Sequence, residues 1–347
     1  MMARNKLFNS FMVGVLLALA FAGFILFSPY ITPSEPSPSP TPTGSPYPTA
    51  TTTPNGGDKT ITNAMWLFPE YLLPWLGHYW TTAEVFCDDN GVQYTNPKGI
   101  LGLGNEFDNP QYIIDNLEGM EIDSLIIAGG SWNSDGTIVW NSGSGKWANF
   151  MTQVRTAYPN MKFLTWVLGW GNADLSSPSI RRTMCDSAVQ LINYGKFDGW
   201  NEDYEGWCGD YVHLKNFYAE MAATVKGMGK IMTVATEVNW GGYSVEDYSY
   251  ILNTEIDYVF PMYYGNIVYD DGYVWKELLA NSPVPVVMGI SVWDGVFNDD
   301  TCTYDITFNQ QLAKINTFSK SNLAGYSIWV YDEMSYEDME IWRAWIN

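Results

Sequence analysis

The residues best placed to do chemistry lie in Phe197-Asp198-Gly199-Trp200-Asn201-Glu202-Asp203-Tyr204-Glu205-Gly206-Trp207, where Asn201, Asp203 and Glu205 carry side-chain oxygens at alternate positions. In a β-strand, side chains two apart share a face. The three then form a column, with Glu205 about 7 Å beyond Asn201 at roughly 3.3–3.4 Å of rise per residue. Two carboxyls held that close cannot both ionise freely, so one keeps its proton to higher pH. A carboxylic acid still protonated near neutral pH is the proton donor that cleavage of a glycosidic bond requires. The spacing points to sugar chemistry.

Other readings compete. An acid-rich segment is ordinarily solvated surface, but here the acids alternate with Trp200, Tyr204 and Trp207. A calcium loop of the EF-hand type begins in a similar way to Asn201-x-Asp203-x-Glu205-Gly206. It needs a bidentate Glu at its twelfth position, and that position is Val212. Calcium loses. An active-site shape without activity stays open.

Short apolar runs alternating with helical patterns must position this column, and they argue for βα units around a parallel sheet. Strands are predicted at Ser124–Ala128, Phe163–Leu168, Gly199–Asp203, Ile231–Ala235, Asp257–Met262, Val284–Ile290 and Tyr326–Val330, with an earlier one near Ala64–Phe68. Helical periodicity marks Ile180–Tyr194, His213–Met228, Tyr273–Ala280 and Thr307–Lys320. Eight strands in this length predict an α/β fold of the (β/α)₈ TIM-barrel type, whose catalytic groups sit at the C-terminal ends of the strands.

Aromatic and polar residues follow nearly every predicted strand. The series includes Ser131-Trp132-Asn133, Gly169-Trp170-Gly171-Asn172, Glu237-Val238-Asn239-Trp240, Tyr263-Tyr264-Gly265-Asn266 and Val292-Trp293-Asp294. Rings at strand ends would line a groove against the apolar face of a pyranose. Each ring taken singly is equally well explained as loop packing.

The chain of 347 residues has a formal net charge of -21. Residues 1–57 contribute only Arg4, Lys6 and Glu35, so the remainder keeps the whole acidic excess. Such a surface repels phosphate backbones and makes nucleic acid an unsuitable partner. The N-terminus reads Met1-Met2-Ala3-Arg4-Asn5-Lys6 and then runs apolar from Phe11 to Phe27. That length just suffices to span a bilayer, and the basic residues before it favour a cytoplasmic start. Ala18-Leu19-Ala20 and Ala20-Phe21-Ala22 resemble cleavage signatures, but the apolar run passes both. A retained membrane anchor over residues 1–31 is therefore favoured over a cleaved signal peptide.

Residues 32–57 turn to Pro, Ser and Thr, which bury no core and stay extended as a stalk. Residues 58–347 are the catalytic-domain expectation, extracellular and tethered to the cell surface, or secreted if the leader is cut. Cys87, Cys185, Cys208 and Cys302 allow three disulfide pairings outside the cell. Cys185 falls within a predicted helix and reads as a buried small hydrophobe. No two cysteines have ligand spacing, and His78 and His213 begin no zinc motif. No metal and no cofactor is expected.

With these residues in place, the chain resembles the family 18 glycoside hydrolases, the chitinases and endo-β-N-acetylglucosaminidases. Their fourth-strand signature is Asp-Gly-x-Asp-x-Asp-x-Glu, and Asp198-Gly199-Trp200-Asn201-Glu202-Asp203-Tyr204-Glu205 matches it at all but one fixed position, where Asn201 replaces the inner Asp. Lys162–Gly169 resembles the family's third strand, and Pro261-Met262-Tyr263-Tyr264 its sixth-strand Met-x-Tyr. Val286-Val287-Met288-Gly289-Ile290 resembles its seventh strand. Gly325–Trp329 resembles the eighth, which ends in a Trp on the pocket floor. The resemblance runs from about Trp66 to Trp345. The fourth-strand motif is fairly specific, and the other pieces carry weight through their order.

The resemblance implies a role for each matched residue. Glu205 is the acid that protonates the leaving oxygen. Asp203 orients the substrate's N-acetyl group, whose carbonyl attacks the anomeric carbon in place of an enzyme nucleophile. Tyr264 donates a hydrogen bond to that carbonyl, and Trp329 lies beneath the sugar ring. Asn201 can hydrogen-bond Asp203 but cannot take its proton. Trp170, Trp207 and Trp293, with Met262, are expected to contact the sugar. Glu237, after the fifth strand, either compensates for Asn201 or is an exposed loop acid. The walls expected to raise the Glu205 pKa are Trp200, Trp207 or Trp329. The implied activity is retaining cleavage of a glycan containing N-acetylhexosamine. The alternative is a non-catalytic carbohydrate-binding protein, which Asn201 favours.

Overall fold

The computed structural model describes residues 61–67, 109–140, 144–169, 173–204, 211–237, 255–262, 282–298, 303–317, 323–329 and 336–347, together with 107, 334 and short strands at 79–82, 85–87 and 93–95. Eight parallel strands form the frame: β1 (Asn63–Leu67), β2 (Ser124–Trp132), β3 (Lys162–Gly169), β4 (Gly199–Tyr204), β5 (Ile231–Glu237), β6 (Tyr258–Met262), β7 (Val286–Ser291) and β8 (Leu323–Trp329). Each pairs with the next in sequence, and β1 pairs with both β2 and β8, so the sheet closes on itself. The result is the expected (β/α)₈ barrel.

Period-two alternation explains the closure. Ala64, Trp66, Ile126, Ala128, Leu164, Trp166, Ile231, Ala235, Phe260 and Val287 form the inner cluster. The residues between them, such as Met65, Ile127, Phe163, Val167, Met232, Val259 and Met288, belong to a second, larger cluster under the helices. Strands buried on both faces read as continuous apolar runs, which is why their positions were readable. At the seam, a Cβ on Gly325 would overlap the carbonyl oxygen of Thr62. Only glycine allows β8 to approach β1 so closely.

The helices among the described residues are α1 (Pro110–Leu117), α2 (Trp147–Ala157), α3 (Pro178–Gly195), α4 (Tyr211–Gly227), α5 (Phe308–Ile315) and α6 (Tyr336–Ile346). Ser177 caps α3 by accepting from the Ile180 amide, with Pro178 in the first turn. The helix expected over Thr307–Lys320 is shorter. Thr307 and Gln310 make a reciprocal capping box at its start, and a closing turn through Asn316 and Thr317 ends it after Ile315. The helix expected at Tyr273–Ala280 lies outside the described residues. Three helices (α1, α2 and α6) and the hairpin Trp293–Asn298/Thr303–Thr307 were not anticipated.

A repeated device secures the lower rim. Asp123, Asp198 and Asp257 each stand one residue before an even-numbered strand, and each accepts a backbone N–H from the start of the odd-numbered strand beside it or, for Asp123, from the residue just before that strand. Asp123 takes Thr62 N at 2.7 Å, Asp198 takes Phe163 N at 2.9 Å and Asp257 takes Met232 N at 2.9 Å. Asp198 also holds Arg155 Nη2 of α2 at 2.7 Å, and Asp257 holds Lys226 Nζ of α4. Asp198, the first acid of the motif, is thus structural.

Among the described residues no helix is long and apolar enough to cross a membrane. The anchor, stalk and domain boundary expected over residues 1–57 lie outside the described residues.

Candidate active site

The site is built on the C-terminal half of β4. Asn201 and Asp203 project into the barrel while Trp200, Glu202 and Tyr204 occupy the outer face, as alternation requires. Asn201 is 0% exposed and Asp203 2%. The adjoining rungs place Asn201 beside Trp166 on one side and Thr233 on the other, and Asp203 beside Leu168.

The amide of Asn201 has a fixed orientation. Thr233 Oγ1 lies 3.1 Å from the Trp200 carbonyl, which can only accept, so the hydroxyl proton is committed there. Thr233 must then accept from Asn201 Nδ2, at 2.8 Å. Asn201 Oδ1 is left as a buried acceptor with no partner among the described residues. Thr233 was not singled out in the sequence, although the β4–β5 register makes it the natural partner of position 201.

Beside this column the barrel is filled with rings. Trp66 meets Trp166 at 5.4 Å and Trp329 at 5.3 Å between centroids, and Trp166 meets Trp329 at 5.9 Å, all edge to face. Edge-to-face packing of this kind suits the aromatic quadrupole. Trp66 and Trp166 are buried, whereas Trp329 is half-buried. Trp329 and Met262 both pack against the inner cluster. The structure therefore brings Asn201, Asp203, Met262 and Trp329 to one interior. Trp66 and Trp166 were missed, yet the alternation of β1 and β3 would have revealed them.

Two expected ring positions need correction. Trp200 does not face the inner column of Asn201 and Asp203. It lies on the outer face, fully buried, where its indole Nε1 donates to Glu202 Oε2 at 2.8 Å. Trp132 does not line the top either. An extra residue at Gly129 breaks the β2–β3 register between Ala128 and Gly130, and a bulge of this kind switches which face each later residue takes. Trp132 then packs outside the barrel, 6.0 Å from Trp200.

Glu202 is the unforeseen member. Its carboxyl is fully buried, and burial pushes its pKa up from 4.5 to about 8 even though the indoles of Trp200 and Trp132 oppose the shift. Cys185 of α3 is buried and free, as expected of a small hydrophobe, with its thiol pushed up to about 12 by burial.

Glu205, Tyr264, Trp170 and Trp207 lie outside the described residues. Glu237 closes β5 on the rung it shares with Met262, and Trp293 opens the hairpin that follows β7. No group of His, Cys, Asp and Glu among the described residues could hold a metal ion.

A closed parallel barrel with buried polar side chains on its fourth strand defines the class as a (β/α)₈ barrel. No protein-family model and no curated protein matches the sequence. Solved structures do. The Group IV chitinase of Ostrinia furnacalis superposes with a TM-score of 0.55 at 13% identity, covering 83% of this chain and 99% of that one. A family 18 chitinase from Cycas revoluta in complex with (GlcNAc)3 gives 0.53 at 14% identity over 82% and 100%. The C-terminal domain of a putative chitinase from Desulfitobacterium hafniense gives 0.51 at 17% over 70% and 97%. The chain has the fold of the family 18 chitinases.

Proposed function

We propose that this protein is a glycoside hydrolase acting on β-linked N-acetylhexosamine glycans, chitin-like or of the N-glycan core, with retention of anomeric configuration. The observation that carries the reading is Asp203, buried on the inner face of β4 in a barrel whose interior also holds Trp329 and Met262. Glu205 protonates the leaving oxygen as the substrate's acetamido oxygen attacks the anomeric carbon. Asp203 holds the acetamido group and stabilises its developing charge, and Tyr264 hydrogen-bonds its carbonyl. Water then attacks the same carbon from the opposite side, with Glu205 taking its proton. Trp329 supports the sugar ring. Trp170, Trp207, Trp293 and Glu237 extend the contact surface. No metal or cofactor takes part.

The proposal includes an address. Residues 1–31 anchor the chain, 32–57 form a stalk, and 58–347 carry out the chemistry at the cell surface. A second reading, a carbohydrate-binding protein without turnover, is favoured by Asn201, which cannot accept a proton from Asp203.

Release of reducing ends from chitooligosaccharides and N-glycans tests the first reading. Glu205→Gln keeps shape but removes the proton, and turnover should fall by about 10² or more. Early-time NMR should show retained configuration. Binding to a glycan array without turnover by the native protein selects the second reading, and undiminished turnover in Glu205→Gln removes the mechanism.

A further inference from the structure

Glu202 lies on the opposite face of β4 from the sugar chemistry and has no part in it. A glutamate on the helix-facing side of a barrel strand displaces an apolar residue from the densest layer of the fold, and its side chain is 0% exposed. Its two oxygens are treated differently. Oε2 accepts the Trp200 indole N–H at 2.8 Å, while Oε1 has no hydrogen-bond partner among the described residues. Close by is an indole in the complementary condition. Trp132 Nε1 is buried and has no acceptor among the described residues, yet Trp132 acts on the Glu202 carboxyl as a hydrogen-bonding neighbour. The two tryptophan rings touch at 6.0 Å with their planes tilted by 49°.

A buried donor without an acceptor and a buried oxygen without a donor, held in one pocket, are an unmade hydrogen bond. A neutral carboxyl satisfies one indole through its carbonyl oxygen. An ionised carboxylate offers both oxygens as strong acceptors and is stabilised by every N–H that reaches it. We infer that Glu202 is a two-state proton latch in the barrel wall: neutral, it holds Trp200 alone, and ionised, it also draws in the indole of Trp132, tying the bulged end of β2 to β4 across β3. The latch does not depend on the glycosidase reading, because it is defined by the wall and not by a substrate.

The charged and titratable neighbours do not obscure it. Helices α3 and α4 pack outside β4. On α3 the facing groups are Cys185, with its thiol pushed up to about 12, the exposed Asp186, and Arg181, which is committed to Glu220 of α4 at 2.9 Å and to the Leu175 carbonyl at 2.7 Å. His213, at the start of α4, acts on Asp174. On β4 itself, Tyr204 donates to the Ala173 carbonyl, Asp203 faces the interior, and Asp198 at the strand's foot is paired with Arg155. Trp132 and the apolar Val167 are what β2 and β3 present.

Near-UV circular dichroism of the native protein, without any sugar present, tests the latch through its tryptophans. Between pH 6 and 9 the wild-type spectrum should change in one step with a midpoint near that of the Glu202 carboxyl, about 8. Glu202→Gln, which is isosteric and does not ionise, should show no such step. Trp132→Phe removes the second donor and should move the midpoint to higher pH. If Glu202→Gln fails to fold, Glu202→Leu and the Trp132→Phe shift carry the test. A step that persists unchanged in the Glu202 variant, a wild-type spectrum flat across this range, or a midpoint indifferent to Trp132→Phe overturns the inference. Should the protein cleave no glycan at all, these outcomes still decide it.

Discussion

Asn201 and Thr233 face each other across the β4–β5 junction, the amide donating to the hydroxyl at 2.8 Å and the hydroxyl donating onward to the Trp200 carbonyl at 3.1 Å. This short chain turns the amide oxygen of Asn201 away from Thr233, at the position the family signature gives to an acid. Thr233→Val leaves the Nδ2 donor unsatisfied in a buried site and should cost about 1–3 kcal/mol. Urea unfolding of the two proteins measures it; equal midpoints would mean that the amide finds another acceptor. Asn201→Asp should fold and shift the pH optimum, because the new carboxyl titrates together with Asp203 as a pair. An unmoved optimum in the pH–rate profile counts against that coupling.

Asp198 carries a different expectation despite opening the sequence motif. Its carboxylate holds Arg155 and the Phe163 amide at the lower rim, at the end of the strand away from the site. Asp198→Ala should lower stability by about 1.5–3 kcal/mol, the range for a hydrogen bond to a charged group. The Arg155 pairing adds little to this, because both side chains are about a third exposed at 33% and 32% and solvent screens the pair. Any turnover measured well below the melting temperature should persist. Loss of turnover in a variant that stays folded would make Asp198 part of the chemistry instead.

Glu202 also makes stability depend on pH. The unfolded chain releases this proton near 4.5, the folded protein only near 8. Between those values the folded state binds more protons at this group, so its contribution to stability is fully present below pH 4.5 and is lost as pH rises through about 8. The full loss is on the order of 5 kcal/mol. Asp123, whose carboxyl is also pushed up by burial, contributes in the same sense and cancels when wild type is compared with Glu202→Gln. The difference in thermal midpoint between those two proteins should grow from pH 5 to pH 9. Parallel curves would show that Glu202 ionises as freely in the folded protein as outside it.

The sequence and the structure agree where one physical rule acts alone. All eight barrel strands were placed to within a few residues, because a strand buried on both faces is a continuous apolar run. The inner position of Asn201 and Asp203 followed from alternation, although the same rule was not carried through to Trp200 and Glu202. Strict alternation puts Trp200 outside, and makes a glutamate at 202 a buried one rather than one acid of a solvated cluster. Trp132 was not legible in this way, since the bulge at Gly129 depends on how β2 and β3 pair. Helices α1, α2 and α6 were missed because they span only 8, 11 and 11 residues, at or below the length over which helical periodicity stands out. The role proposed for Glu205 as proton donor rests on the sequence motif alone.

Gly325 joins the eighth strand to the first, and that joint decides more than local fit. A closed ring of strands has no edge. Parted at this seam, the same ring becomes an open sheet with two rows of unpaired amide and carbonyl groups, the template on which chains add to one another. The close approach that Gly325 permits thus keeps both of those rows paired within one molecule.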